Sequence, residues 1–131
     1  MGWRVRAIRG ATTVDSNTVP AIEATVSELL DALWAHNPQV LADLDNIVNV
    51  IFSATPDLNA LFPAQVARSR PGWDQVPLLD VQQMSVPGSL PRCIRVLIQV
   101  NTPYPRQALN HLYLRAAQGL RPDLSPPLIR R

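Results

Sequence analysis

The sequence of 131 residues contains no lysine and has few cysteine, histidine or aromatic residues. Its single cysteine, Cys93, cannot form a disulfide bond within the chain. His36 and His111 are the only histidines, which argues against a dedicated zinc site. The sequence contains neither a Ser-His-Asp motif context nor a G-x-S-x-G motif, so no motif indicates a catalytic nucleophile. We therefore expect no dedicated metal site and no catalytic nucleophile.

Long hydrophobic runs are also absent. No apolar run approaches the length of a membrane span, and the N-terminus lacks the apolar stretch of a signal peptide. The net charge of +2 is too small to indicate a nucleic-acid partner. These absences predict a cytoplasmic protein that binds neither a membrane nor nucleic acid.

The length and composition predict one globular domain over residues 1–131. Hydrophobic residues make up 47% of the chain and charged residues 17%, a balance that excludes a disordered protein. The 13 prolines favour short elements joined by stiff turns. Prolines at 122, 126 and 127 predict that residues 121–131 form an extended tail along the surface.

All 12 basic residues are arginines. Two explanations are open and compatible: the base composition of the genome, or a use of arginine to hold anions. A guanidinium group matches a carboxylate in a bidentate fork and keeps its charge when it is partly buried. Some of these arginines are therefore candidates for binding a carboxylate ligand.

The hydrophobic periodicity predicts the order strand, helix, strand, helix, strand, strand, helix. Predicted strands cover residues 3–8, 47–52, 76–83 and 94–101, and a turn is predicted around Gly10. The first helix is expected to begin at an N-cap, Thr18, and to end at Asn37; the others cover 63–70 and 105–119. This order is typical of an α+β domain with a mixed β-sheet and helices on one side.

Several stretches together resemble the Bacillus-type (AroH class) chorismate mutases. They are RAIRGATTV at 6–14, SATPDL at 53–58, FPA at 62–64 with Arg68, GW at 72–73, VP at 76–77, RCIRV at 92–96, HLYL at 111–114 and LRPDL at 120–124. The resemblance covers nearly the whole chain, in order and without large insertions.

The resemblance implies a homotrimer that looks like a barrel of packed sheets ringed by helices, with active sites in clefts between neighbouring subunits. It also implies the reaction, which is the Claisen rearrangement of chorismate to prephenate in phenylalanine and tyrosine biosynthesis. That reaction needs no acid, base, nucleophile or cofactor in principle. The enzyme must instead hold a folded conformer and stabilise the charge that develops in the transition state.

The resemblance also assigns site residues. Arg95 matches the cation beside the breaking ether bond, and Arg9 and Tyr113 match residues that bind a substrate carboxylate. Pocket-wall and outer positions are Phe62, Ala64, Leu78, Leu79, Leu120, Arg68 and Arg121, of which the last two match residues that close over the site or tune its field. Without the resemblance, Arg95 could be a solvated strand residue and Tyr113 a core tyrosine whose hydroxyl finds a backbone partner.

Two positions depart from the family pattern. The family has a glutamate where this chain has Gln83 and a cysteine where it has Asp80, and both touch the ring hydroxyl of the substrate. One interpretation is that the carboxylate has moved three residues along the strand to Asp80 and still faces Arg95, where nearby positive charge lowers its pKa. Gln83 would then hydrogen-bond the hydroxyl. The other is that the site has drifted and its activity is weak or lost.

Two other functions remain open at this stage. A non-catalytic module that binds a small carboxylate on the same trimeric scaffold is favoured by Gln83 and disfavoured by Asp80. An imine deaminase of the YjgF/RidA type also forms trimers with clefts between subunits, but this likeness is at the level of the fold alone.

Overall fold

The computed structural model describes residues 2–121 and 123. It contains strands β1 (Arg4–Thr13), β2 (Ile47–Ala54), β3 (Leu78–Gln82), β4 (Cys93–Thr102) and β5 (Leu112–Tyr113), and helices α1 (Val19–His36) and α2 (Pro63–Arg68). The predicted extended tail lies outside the described residues apart from positions 121 and 123.

The five strands form one mixed sheet in the order β3-β2-β4-β1-β5. β4 is antiparallel to both of its neighbours, β1 and β2. The two outer strands, β3 and β5, are each parallel to the strand beside them. The predicted α+β class with a mixed sheet is therefore confirmed.

Helix α1 begins and ends where the sequence predicts. The Thr18 side chain accepts a hydrogen bond from the backbone N–H of Ala21 at 3.3 Å, which satisfies one of the free donors of the first turn. Asn37 follows the last helical residue. The predicted apolar stripe is buried in the core: Ile22, Val26, Leu29, Leu30 and Leu33.

Both helices pack on the same face of the sheet. Buried residues of α1 and α2 share one core with alternate residues of the central strands, such as Phe52, Val96 and Ile98. The other face carries Leu79, which is 55% exposed, and Val81, which is 43% exposed. We call it the open face, because neither α-helix covers it.

The turn predicted around Gly10 is wrong, because β1 continues to Thr13. Gly10 pairs with Val96 of β4 and points toward α1. A Cβ atom at this position would lie 3.1 Å from Leu33 Cδ1 and Val96 Cγ1, and 3.3 Å from Leu29 Cδ1. This glycine therefore lets α1 approach the sheet closely and does not break the strand.

The helix predicted over 105–119 is also wrong. The segment forms a 3₁₀ turn (Arg106–Ala108), the short strand β5 and a second 3₁₀ turn (Arg115–Gly119). The reason is a pair of contacts from the end of α1: Asn37 Oδ1 accepts from the backbone N–H of Asn110 at 2.8 Å, and Asn37 Nδ2 donates to its carbonyl at 3.0 Å. These bonds occupy the backbone groups that a helix would have used.

We expect Gly10→Ala to lower the free energy of unfolding by about 1–2 kcal/mol, because the added methyl group overpacks a core of fully buried leucines. Gly119→Ala is the matched control, since a Cβ there meets nothing within 4 Å. Thermal unfolding of the two variants at equal protein concentration measures the difference. Equal stability of both variants and the original chain would show that α1 does not press on the sheet at Gly10.

Candidate active site

The open face brings together side chains from the three central strands, β2, β4 and β1. Arg95 on β4 pairs with Ala11 of β1 and Ser53 of β2. In the next row, Leu97 pairs with Arg9 and Ile51. Because side chains alternate along a strand, all of these residues share one face.

A cavity of about 360 Å³ opens over these rows. We call it the arginine cavity, because its lining residues are Arg9, Gly10, Ile51, Ser53, Arg95, Val96, Leu97, Tyr113, Leu120 and Arg121. Its size lies in the usual range for a small-molecule site. Five residues that the sequence predicts for a site therefore meet in one cavity: Arg9, Arg95, Tyr113, Leu120 and Arg121.

Arg95 has an unused donor. Its Nε atom is buried and has no hydrogen-bond partner among the residues that the structure describes. A buried donor without an acceptor costs about 1–3 kcal/mol, so an anionic or ether oxygen bound in the cavity would recover that cost. Burial raises the pKa of the Cys93 thiol, two residues earlier, more than the charge of Arg95 and its side-chain hydrogen bond to the thiol lower it.

Tyr113 is 4% exposed and lies on β5, not on a helix. It packs with Ala11 and Ala117, and Leu120 lies against this small cluster. Tyr113 can therefore be a core tyrosine and a site residue at once, because its side chain packs against the open face and also lines the arginine cavity.

The rim of the cavity is rich in positive charge. Arg9 is exposed on β1, and Arg121 is half-buried. Arg121 Nε and Nη2 donate to the two carboxylate oxygens of Asp123 at 3.2 and 3.0 Å. This pairing lowers the pKa of Asp123. The cavity therefore presents cationic side chains from three separate segments, which suits an anionic ligand with more than one carboxylate.

Gln83 is linked to this face through Ser53. The Ser53 hydroxyl donates to Gln83 Oε1 at 3.1 Å, and the backbone N–H of Gln83 donates to the carbonyl of Ala54 at 2.9 Å. Gln83 is half-buried just after β3. Its amide NH₂ group remains a possible donor to a ligand hydroxyl near Arg95.

Asp80 does not face Arg95 within one chain. It pairs with Phe52, which pairs with Val96, and this row points to the helix side of the sheet. Three is an odd number of residues, so a shift of three along a strand moves a side chain to the opposite face. The interpretation that the displaced carboxylate still faces Arg95 is therefore incorrect for a single chain.

Asp80 instead caps α2. Its Oδ1 accepts from the backbone N–H of Ala64 at 3.0 Å, whereas Phe62, the residue before the helix, provides no side-chain cap. Its pKa is raised, because partial burial outweighs the opposing effects of the Ala64 hydrogen bond and the Arg68 charge. The expected lowering of this pKa is wrong, because Asp80 is remote from the arginine cavity in the fold.

A second cavity of about 550 Å³ lies beside α2, and we call it the α2 cavity. Its lining residues are Ala54, Thr55, Pro56, Leu58, Asn59, Ala60, Leu61, Phe62, Pro63, Gln65, Asp80, Val81 and Gln82. Phe62 is 68% exposed at its mouth. Ala64 borders it through the bond to Asp80, and exposed Arg68 ends the same helix.

Leu78 and Leu79, the other two predicted wall residues, separate across β3. Leu78 packs against the main core on the helix side, opposite Val50. Leu79 is exposed on the open face, opposite Ile51. The predicted site residues thus fall into two groups that one chain does not join.

Sequence reasoning missed Ile51, Ser53 and Leu97 as cavity residues. The signal that would have found them is the register: Ser53 lies beside Arg95, and Ile51 and Leu97 lie beside Arg9. A register between distant strands is not readable from local periodicity alone. Among residues 2–121 and 123, no cluster of three or more His, Cys, Asp and Glu side chains is arranged to hold a metal, and no helix is long and apolar enough to cross a membrane.

Comparison with known proteins gives consistent matches. The chorismate mutase type I family model matches residues 5–124. The chain is 42% identical to the chorismate mutase AroH of Bacillus subtilis over 121 residues, covering 92% of this chain and 93% of that protein. It is 46% identical to the AroH protein of Thermus thermophilus over 120 residues, with coverages of 92% and 96%. A solved chorismate mutase from Clostridium thermocellum superposes with a TM-score of 0.80 at 41% identity, covering 87% of this chain and 98% of that chain.

We expect Asp80→Ala to lower the free energy of unfolding by about 1 kcal/mol, because the first turn of α2 loses the side-chain acceptor that Asp80 provides. Asp80→Asn is the control that keeps an acceptor oxygen. Because the pKa of Asp80 is raised in the folded state, any advantage of the asparagine at neutral pH shrinks as the pH falls and Asp80 becomes protonated. Denaturant unfolding at two pH values tests this; an alanine variant as stable as the original chain would rule out the cap.

Proposed function

The chain belongs to the chorismate mutase type I family, and we propose that its arginine cavity is where it rearranges chorismate to prephenate. As a chorismate mutase it is an isomerase that acts in aromatic amino acid biosynthesis. The observation that carries the proposal is the convergence of Arg9, Arg95, Tyr113 and Arg121 on one cavity whose central arginine has a buried, unused donor.

Arg95 acts on the bond that breaks. During the rearrangement an ether C–O bond breaks while a C–C bond forms, and negative charge grows on the ether oxygen. A fixed guanidinium beside that oxygen stabilises the transition state more than the ground state, which is the condition for raising kcat. The unpaired Nε–H supports this role, since it is already desolvated and fixed on a central strand.

Arg9, Tyr113 and Arg121 act on the conformation. Chorismate carries two carboxylates and is flexible, so much of the barrier is the cost of folding it into the reactive conformer. Donors from β1, β5 and the segment after β5 hold these carboxylates at separate points. Ser53 and Gln83 lie on the ring side, where the Gln83 amide group donates to the ring hydroxyl.

The second half of the site comes from another copy of the chain. Phe62 and Asp80 line the α2 cavity, Ala64 is bonded to Asp80, and Arg68 ends the same helix. In this arrangement the α2 cavity of one copy covers the arginine cavity of the next. Asp80 then supplies an anion facing the positive charge that grows on the substrate ring.

An assembly of this kind is head-to-tail, because two different surfaces meet, and repeated head-to-tail contacts form a ring when the rotation between neighbouring copies closes. Three copies form the homotrimer that the family resemblance implies. Support comes from the apolar side chains that one chain leaves exposed on and around the open face, including Leu79, Val81 and Met84. An exposed apolar patch marks a surface that contacts another protein, a membrane or a ligand, and we assign this one to other copies of the chain.

We expect Arg95→Ala to lower kcat by roughly 10²- to 10³-fold, as is typical of losing one donor to a developing oxyanion. Disappearance of chorismate and appearance of prephenate with the purified chain measure it. Arg4→Ala is the matched control, because Arg4 is an exposed arginine at the far end of β1.

Two further variants belong to the same assay. If Asp80 supplies the anion, Asp80→Asn lowers kcat about tenfold with little change in stability, whereas a pure capping role leaves kcat unchanged. Gln83→Glu reports whether a carboxylate on the Arg95 side improves catalysis. Full activity of Arg95→Ala would refute the proposed site.

A further inference from the structure

His111 lies directly before β5 and beside Arg9 of β1. The backbone N–H of Arg9 donates to His111 Nδ1 at 2.9 Å. The paired residues of β5 begin only at the next position, with Leu112 opposite Gly10. The following bond in the ladder runs from the Leu114 N–H to the Ala11 carbonyl at 2.8 Å. The imidazole therefore provides the acceptor for a strand N–H just where backbone pairing starts.

This bond specifies one protonation state. An imidazole nitrogen that accepts a hydrogen bond carries no proton, so His111 is neutral with its proton on Nε2. The preceding residue is held independently, because Asn110 is bonded to Asn37 at the end of α1 and to the carbonyl of His36. The ring is thus aimed at Arg9 by a fixed main chain.

The surroundings favour the neutral ring. Half-burial lowers the pKa of His111, and the positive charges of Arg9 and Arg121 lower it further. Among the described residues, these two arginines are the charged groups that act on the ring, and Arg121 is itself paired with Asp123. Both arginines also line the arginine cavity.

We infer that His111 is a positioning residue for substrate binding: by accepting the Arg9 N–H it holds β5 against β1 and so sets Arg9 and Tyr113 relative to each other. His111 itself is not among the residues that line the cavity. The inference rests on the proposed function, because it matters only if Arg9 and Tyr113 bind the substrate carboxylates.

Protonation of His111 reverses this contact. Two N–H groups then face each other across the strand edge, and the Arg9 N–H loses its acceptor. Because the folded state prefers the neutral ring, acidification destabilises the pairing of β5 with β1. The expected consequence is weaker substrate binding at low pH, with the chemical step less affected.

The test compares His111→Asn with His111→Leu, since the asparagine Oδ1 can accept the Arg9 N–H without titrating and leucine cannot accept it. We expect His111→Leu to raise KM for chorismate about tenfold with a smaller change in kcat, as for loss of one hydrogen bond that supports binding. His111→Asn restores KM to within about threefold and lacks the rise in KM that the original chain shows as the pH falls from about 8 to 5.

A KM for His111→Leu equal to that of the original chain, or an unchanged acid rise in His111→Asn, would overturn the inference. Arg95→Ala is measured alongside: if it is inactive while both His111 variants behave normally, only this inference fails. If it is active, the proposed function fails. Nitrogen NMR of the unaltered protein gives a readout independent of variant folding, and a proton found on Nδ1 at neutral pH would also overturn the inference.

Discussion

Side chains alternate between the two faces of the sheet, and this constraint decides which charged groups of the chain can meet. Arg95 points to the open face with Ser53 and Ala11, whereas its neighbour Val96 points to the helices. Asp80 shares a row with Val96 and therefore lies on the helix side. The separation of the predicted site residues into two groups follows from this alternation, and it is the reason why we propose a second copy of the chain at each site.

The elements that depend on nearby residues could be predicted from the sequence. Thr18 and Asn37 mark the ends of α1 because capping is a local interaction. The segment 105–119 could not be predicted, because its course depends on Asn37, more than 70 positions away in sequence from Asn110. The turn predicted at Gly10 was wrong for a related reason. Gly10 makes room for α1, a contact between elements that are distant in the sequence.

For the candidate site, the structure brings some of the predicted residues together and separates others. Arg9, Arg95, Tyr113, Leu120 and Arg121 meet in one cavity as the family resemblance implies. The prediction that Asp80 faces Arg95 considered only its distance along the strand from Gln83. It did not consider the face of the sheet to which Asp80 points. Under the proposed function few residue types are needed, because a reaction without proton transfer or a covalent intermediate needs positioned cations and a shaped cavity.

The central claim, that each site joins the arginine cavity of one copy to the α2 cavity of another, is tested most directly by mixing two inactive chains. One chain carries Arg95→Ala, and the other carries Phe62→Ala together with Arg68→Ala. The two chains are unfolded, mixed in equal amounts and refolded together. As a control, each chain is also refolded alone. Sites shared between copies predict recovery of about one quarter of the original activity in the mixture, because random assembly joins two intact halves in that fraction of a closed ring's contacts. If mixed assemblies form and the mixture is no more active than the separately refolded chains, the account is contradicted.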